Sequence, residues 1–329
     1  MKLVWLAVLV LAFAAIGVGP LIDRRADLKE AAAERRYPPL GRIVEVDGRA
    51  VHAVVTGSGP DLILIHGASG NVRDWTFDFV DRVSGRYRVI AIDRPGLGWS
   101  EQVDPAHDRA WTSRADTPAA QARQMARAAA ALGVRDPVVV GQSYGGAVAL
   151  AWALDADAAV RPAAVVSVAG ATMPWPGGVS GLYRLTGSAA GGALIVPLIA
   201  AFPPRQRVAE ALRSIFAPQA APEGYAEQVG AALVLRRTAF RANARQVKGL
   251  LAEVERMAPL YPTLDLPVEI VHGTADEVVG HDVHAPPTAA AIPGAHLTTL
   301  PGIGHMPHHV APDAVIAAID RAAARAGLP

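Results

Sequence analysis

The chain has no cysteine. Disulfides, thiolate metal sites and a cysteine nucleophile are excluded, although a cysteine-free chain suits either side of a membrane. Aromatic residues are scarce at 5%, and charged residues amount to only 19%. The 31 basic and 30 acidic residues nearly cancel, leaving a net charge of +1. No basic stripe is present to hold nucleic acid, and no acidic run of the kind found in solvated tails. No internal repeat is visible. What the chain does have is hydrophobic residues, 51% of its 329. That is enough for a large core, as one α/β domain with an insertion or as two domains.

Residues 3–22 carry no charge, with Lys2 before them and Asp23-Arg24-Arg25 after them. About twenty apolar residues rising 1.5 Å each reach ~30 Å, the hydrocarbon thickness of a bilayer. Residues 1–22 are therefore expected to be a single-pass membrane anchor. The competing reading is a cleaved signal segment, with Ala12-Phe13-Ala14 as the cleavage site and a secreted or periplasmic product. Arg24, Arg25, Lys29, Arg35 and Arg36 follow the span, which places the C-terminal domain in the cytoplasm. Residues 23–41 read as a charged, solvated juxtamembrane linker ending in Tyr37-Pro38-Pro39.

Beyond the linker, Asp47-Gly48 separates two apolar runs and signals a hairpin. Residues 62–65, 88–93, 137–142, 163–168 and 268–272 are continuous apolar runs of the kind buried on both faces, and a last short strand covers 296–300. Helical patterns fall at 73–83, 117–132, 144–154 and 312–324. This alternation predicts an α/β fold, a mostly parallel eight-stranded sheet with helices on both faces. Residues 42–170 and 264–329 form that core. Residues 171–263 contain no convincing strand, and read as a helical lid with helices near 205–216 and 225–241.

Gly141-Gln142-Ser143-Tyr144-Gly145 lies between the 137–142 strand and the 144–154 helix. A G-x-S-x-G sequence at a strand-turn-helix junction presents its serine on a sharp, strained turn. A serine hydroxyl needs a base, an acid that orients the base, and donors for the oxyanion. In a parallel sheet these groups belong at the carboxyl ends of strands. Asp276, in His272-Gly273-Thr274-Ala275-Asp276, follows the 268–272 strand and is the candidate acid. His305, in Gly302-Ile303-Gly304-His305-Met306, follows the last strand and is the candidate base. The backbone N–H groups of Tyr144 and of Ala68, in His66-Gly67-Ala68-Ser69-Gly70, are the candidate oxyanion donors. Ser69, Trp99 and Trp175 are candidate pocket-lining residues. No metal is expected: His281 and His284 fall in a proline-rich stretch without a carboxylate constellation, His305 is already assigned, and His308 and His309 read as the start of the last helix.

These motifs, with Asp93-Arg94-Pro95-Gly96-Leu97-Gly98-Trp99-Ser100 after the 88–93 strand, make residues 43–324 resemble an α/β-hydrolase-fold serine hydrolase. The resemblance implies a Ser143-Asp276-His305 triad and no cofactor, with Asp93 and Arg94 structural. Epoxide hydrolases and haloalkane dehalogenases of this fold use aspartate at the elbow, where this chain has Ser143. The implied reaction is hydrolysis of a carboxylic ester, with an apolar small molecule as substrate; an anchored form resembles monoacylglycerol-lipase-like enzymes that draw on the bilayer. Carbon–carbon hydrolases, cofactor-free haloperoxidase-like enzymes and a non-catalytic ligand receptor are the alternatives. Oligomeric state is left open.

Overall fold

The computed structural model describes Trp5 and residues 17–329. Its centre is an eight-stranded sheet in the order β1-β2-β4-β3-β5-β6-β7-β8. The strands are β1 (Arg42–Val46), β2 (Arg49–Thr56), β3 (Asp61–Ile65), β4 (Arg88–Ile92), β5 (Val138–Gln142), β6 (Ala164–Val168), β7 (Val268–Gly273) and β8 (His296–Leu300). The β1-β2 and β2-β4 pairs are antiparallel, and every pair from β4 to β8 is parallel. The expected sheet is present.

Continuous apolar strands arise because successive side chains enter different cores. Ile63, Ile65, Ile90, Ile92 and Val139 pack on one face, with Met125 and Trp152 from the helices Pro118–Ala131 and Tyr144–Leu154. Leu62, Leu64, Val89, Ala91, Val138 and Val140 pack on the other, with Phe79 and Ile319. The helix Pro118–Ala131 starts where its sequence says it should: Thr117 Oγ1 accepts from Ala120 N–H at 3.1 Å, with proline next in the chain.

Between β6 and β7 the chain forms helices and no strand. The expected helix at 225–241 is instead three, Tyr225–Gln228, Ala231–Val234 and Arg237–Met257, interrupted where Gly230 takes a left-handed φ of 67° and Arg236 an extended ψ of 139°. The expected 73–83 helix is likewise two, Arg73–Thr76 and Phe79–Val83. The break lets Trp75 and Phe79 meet edge to face at 5.1 Å. His281–Ala291 is a helix rather than a loop. Its Pro286 and Pro287 withhold N–H groups only from the carbonyls of Asp282 and Val283 in the exposed first turn.

Two expectations for the N-terminal region need correction. Of the expected span 3–22, residues 3–4 and 6–16 lie outside the described residues. Among the described residues no helix is long and apolar enough to cross a membrane. The helix that begins inside the expected span, Gly19–Arg36, carries Asp23, Arg24, Arg25 and further charges along its length. A single-pass anchor with a cytoplasmic domain is therefore not supported. Nor is 23–36 a solvated spacer. Ala26 and Ala33 are buried against the molecule, and Arg237 of the helix Arg237–Met257 pairs with Asp23, Asp27 and Glu30. Arg25 Nε adds a bond to Ala201 O at 2.9 Å.

Candidate active site

Ala68, Ser143, Asp276 and His305 come from the segments that follow β3, β5, β7 and β8, all at the carboxyl edge of the parallel strands. Ser143 has φ 54° and ψ −117°. That backbone is costly for a residue with a side chain, on the order of 1–3 kcal/mol, and persists only where its surroundings enforce it. Here they do. A β-carbon on Gly141 would run into the Gly145 carbonyl, and one on Gly145 into the carbonyls of Ile65 and His66. One on Gly67 would meet the Gln142 amide and stand 3.0 Å from Ser143 Cβ. The glycines thus let the 66–70 loop and the elbow approach each other.

His305 Nδ1 lies 2.7 Å from Asp276 Oδ2. Facing a carboxylate, Nδ1 carries the proton, which leaves a lone pair on Nε2. Asp276 Oδ1 accepts from the N–H groups of Val278 and Val279 at 2.9 and 2.8 Å. Burial opposes the charge on Asp276, but hydrogen bonds from His272 and His305 outweigh it and hold the carboxyl well below the usual carboxylate range. Asp276 is thus an anion able to stabilise an imidazolium at position 305.

Neither Ala68 N–H nor Tyr144 N–H has an acceptor among the described residues. Tyr144 opens the helix Tyr144–Leu154, so its amide belongs to the unpaired, electropositive first turn. The whole site is covered: Ser143 is 8% exposed and His305 5%.

The three expected lining residues have different surroundings. Ser69 exchanges two hydrogen bonds with Asn243 of the helix Arg237–Met257, N–H to Oδ1 at 2.7 Å and Nδ2 to Oγ at 2.9 Å. It ties the 66–70 loop to that helix. Trp99 donates its indole N–H to Tyr37 O at 3.0 Å and lies beneath the Arg236 guanidinium. Trp175 donates to Gly178 O at 3.1 Å, with its ring 5.8 Å from that of His284. A cavity of about 210 Å³ opens beside Tyr144, lined by Asp116, Arg245, Gln246, Lys248 and Glu253 among others. Ser143, Asp276 and His305 do not border it, so its position does not mark the reacting centre.

Two contributors escaped the sequence reading. Gln142 Nε2 lies 3.3 Å from His305 Nε2 and 3.1 Å from His305 O, holding the imidazole next to the elbow. His272 Nε2 lies 2.7 Å from Val279 O and 3.2 Å from Asp276 Oδ2, supporting the acid loop. Their places inside the motifs around Ser143 and Asp276 were the only signal.

Among the described residues, Asp74, His308 and His309 form the one cluster with a metal-ligating donor set. Its geometry is that of a hydrogen-bonded junction. His308 Nε2 and His309 Nε2 approach different oxygens of Asp74, at 3.1 and 2.9 Å, and Tyr225 donates to it at 2.8 Å. A ligating histidine almost always donates its other ring N–H to an acceptor, and among the described residues His308 Nδ1 has no partner.

An eight-stranded sheet of this order, with a strained serine elbow and a histidine–carboxylate pair at one edge, defines an α/β hydrolase. The model of the alpha/beta hydrolase family matches residues 62–318, and the chain belongs to that family. An uncharacterized protein of Mycobacterium tuberculosis is 29% identical over 302 residues, covering 86% of this chain and 81% of that protein. Haloalkane dehalogenase 2 of Mycobacterium bovis is 25% identical over 300 residues, covering 86% and 94%. Among solved structures, an esterase from a Rhodococcus species superposes with a TM-score of 0.61 at 24% identity, over 86% of this chain and 98% of that one.

Proposed function

We propose that this α/β hydrolase is a serine hydrolase that cleaves carboxylic esters through an acyl-enzyme on Ser143. Ser143 Oγ attacks the ester carbonyl while His305 Nε2 takes its proton, and Asp276 stabilises the resulting imidazolium. The Ala68 and Tyr144 amides receive the oxyanion. Collapse of the tetrahedral intermediate expels the alcohol, protonated by His305. Water, deprotonated by the same nitrogen, then releases the acid.

The observation that carries this reading is the 2.7 Å His305–Asp276 contact at the sheet edge that also bears a serine at φ 54°. The unpaired amides of Ala68 and Tyr144 support it. So does the likeness to a structure described as an esterase. Dehalogenation, the activity named for one relative, proceeds by attack on a saturated carbon from a carboxylate; the elbow residue here is a serine.

Wild-type protein is expected to hydrolyse p-nitrophenyl esters and to be labelled by an alkyl fluorophosphonate. Ser143→Ala should abolish labelling and lower kcat by roughly 10⁴-fold or more. Absence of label on wild type would overturn the assignment and favour a non-catalytic ligand receptor, and equal label on both proteins would overturn Ser143 as the nucleophile.

A further inference from the structure

Arg94 is fully buried, yet its guanidinium meets only neutral partners. Nη1 donates to Gln121 Oε1 at 3.0 Å and to Gln246 Oε1 at 3.1 Å. Nη2 donates to Gly67 O at 3.1 Å, and the guanidinium carbon stands 4.1 Å from the centre of the Tyr144 ring. Among the described residues its Nε has no acceptor. Burying an arginine without a carboxylate partner is costly, and a neutral side chain of similar size would pack there more cheaply. Burial pushes its pKa down to about 10, which leaves it charged at neutral pH. The cost calls for a use of the charge.

The contacts identify one. Gly67 C=O and Ala68 N–H belong to the same planar peptide unit and point in opposite directions. The carbonyl end of that unit receives Arg94 Nη2 and also His66 Nδ1 at 2.9 Å. His66 has its tautomer set by the same arginine, since its Nε2 accepts the Arg94 backbone N–H at 2.9 Å. A cation on the carbonyl oxygen polarises the amide and strengthens the N–H at the other end as a donor. The same guanidinium packs on the side chain of Tyr144, whose amide is the second proposed donor.

We propose that Arg94 is a positioning residue for the oxyanion hole: from beneath the site it fixes and polarises the Gly67–Ala68 peptide and holds Tyr144 in place. This inference rests on the serine-hydrolase reading above, and it replaces the expectation that Arg94 serves the fold alone.

The test uses the full-length protein, p-nitrophenyl butyrate as substrate and an alkyl trifluoromethyl ketone, whose adduct with the serine carries an oxyanion. Arg94→Gln should lower kcat roughly ten- to a hundred-fold, less than the ~10²–10³-fold of deleting a donor outright, with KM nearly unchanged. Ketone affinity should fall by a similar factor. Arg94→Lys keeps charge and bulk, so it folds even if Arg94→Gln does not; it should recover part of kcat and of ketone affinity relative to Arg94→Gln, or fall partway below wild type if tested alone. A merely structural arginine would lower melting temperature without moving the ratio of ketone affinity to KM. Wild-type kcat and ketone affinity in Arg94→Gln overturns the proposal, as does an unchanged ratio, or wild-type behaviour of Arg94→Lys where Arg94→Gln does not fold. If Ser143→Ala is inactive while Arg94→Gln and Arg94→Lys behave as wild type, only this inference fails. If Ser143→Ala retains activity, the underlying reading fails.

Discussion

A methyl group decides much at the elbow. Gly145 and Gly249 are both helical glycines, but a β-carbon at Gly145 would press into backbone carbonyls of Ile65 and His66, whereas one at Gly249 would meet nothing within 4 Å. Backbone cannot give way as a side-chain tip can. Gly145→Ala is therefore expected to destabilise by ~1–3 kcal/mol and to cut activity, because the shift it forces runs directly into β3 and the elbow. Gly249→Ala should stabilise by ~0.5–1 kcal/mol, the ordinary gain of alanine over glycine in a helix. Urea unfolding of the two variants checks both signs; equal midpoints would show that the elbow relaxes freely. At this scale the sequence is a guide to where Ser143, Asp276 and His305 are placed, because each lies within three residues of a glycine after a strand, a local pattern. Gln142 and Arg94 make contacts far along the chain, with His305 and Gln246, that no local pattern distinguishes from packing, whereas His272 meets Asp276 and Val279 within its own loop.

At the level of elements, the strands were legible because burial on two faces makes each one continuously apolar. The helices between β6 and β7 were not, because they pack on several neighbours and their breaks lie at Gly230 and Arg236, where the sequence shows an isolated glycine and an ordinary arginine. The Gly19–Arg36 helix was the most misleading. Its charges look like a solvated surface until Arg237 is found against three of its carboxylates. Hydrogen bonding to Glu30 leads the causes that raise the Arg237 pKa above its ordinary value. Asp23 and Asp27 are largely exposed, so each of their pairs is worth only ~0–1 kcal/mol, and Arg236 with Glu34 adds another of this kind. Arg237→Ala should therefore loosen the helix without unfolding the sheet. Hydrogen exchange should rise across residues 19–36 and stay unchanged in β3–β7, and ~1 M salt should reproduce part of the effect in wild type. Unchanged exchange in that helix would show that Ala26, Ala33 and the Arg25–Ala201 bond hold it without the ion pairs.

For the whole molecule, the buried histidines set a limit on the acid side. Burial is the largest cause lowering the pKa values of His66, His284 and His308 to about 4, from an ordinary value of 6.5. Below pH 6.5 the unfolded chain binds protons at these positions while the folded chain does not. Stability therefore falls as pH drops from 6.5 towards 4, and levels off for these groups below it. Each histidine contributes up to ~1.4 kcal/mol per pH unit across that window. The urea midpoint is expected to decline steeply from pH 6.5 to pH 4.5, before most carboxylates titrate. A midpoint that stays level over that interval would mean that these imidazoles are hydrated or paired as cations.

The helical segment between β6 and β7 lies in the chain after Ser143 and before Asp276 and His305. On the proposed mechanism this order has a consequence for biosynthesis. A nascent chain can form its serine elbow and oxyanion loop as soon as β3 and β5 pair, but at that stage Ser143 is an ordinary hydroxyl. On the same mechanism, reactivity is conferred only when β7 and β8 have been added and have brought Asp276 and His305 to the edge, by which time every helix between β6 and β7 has been made. On that mechanism, hydrolysis awaits a chain in which all of residues 171–263 have already been made.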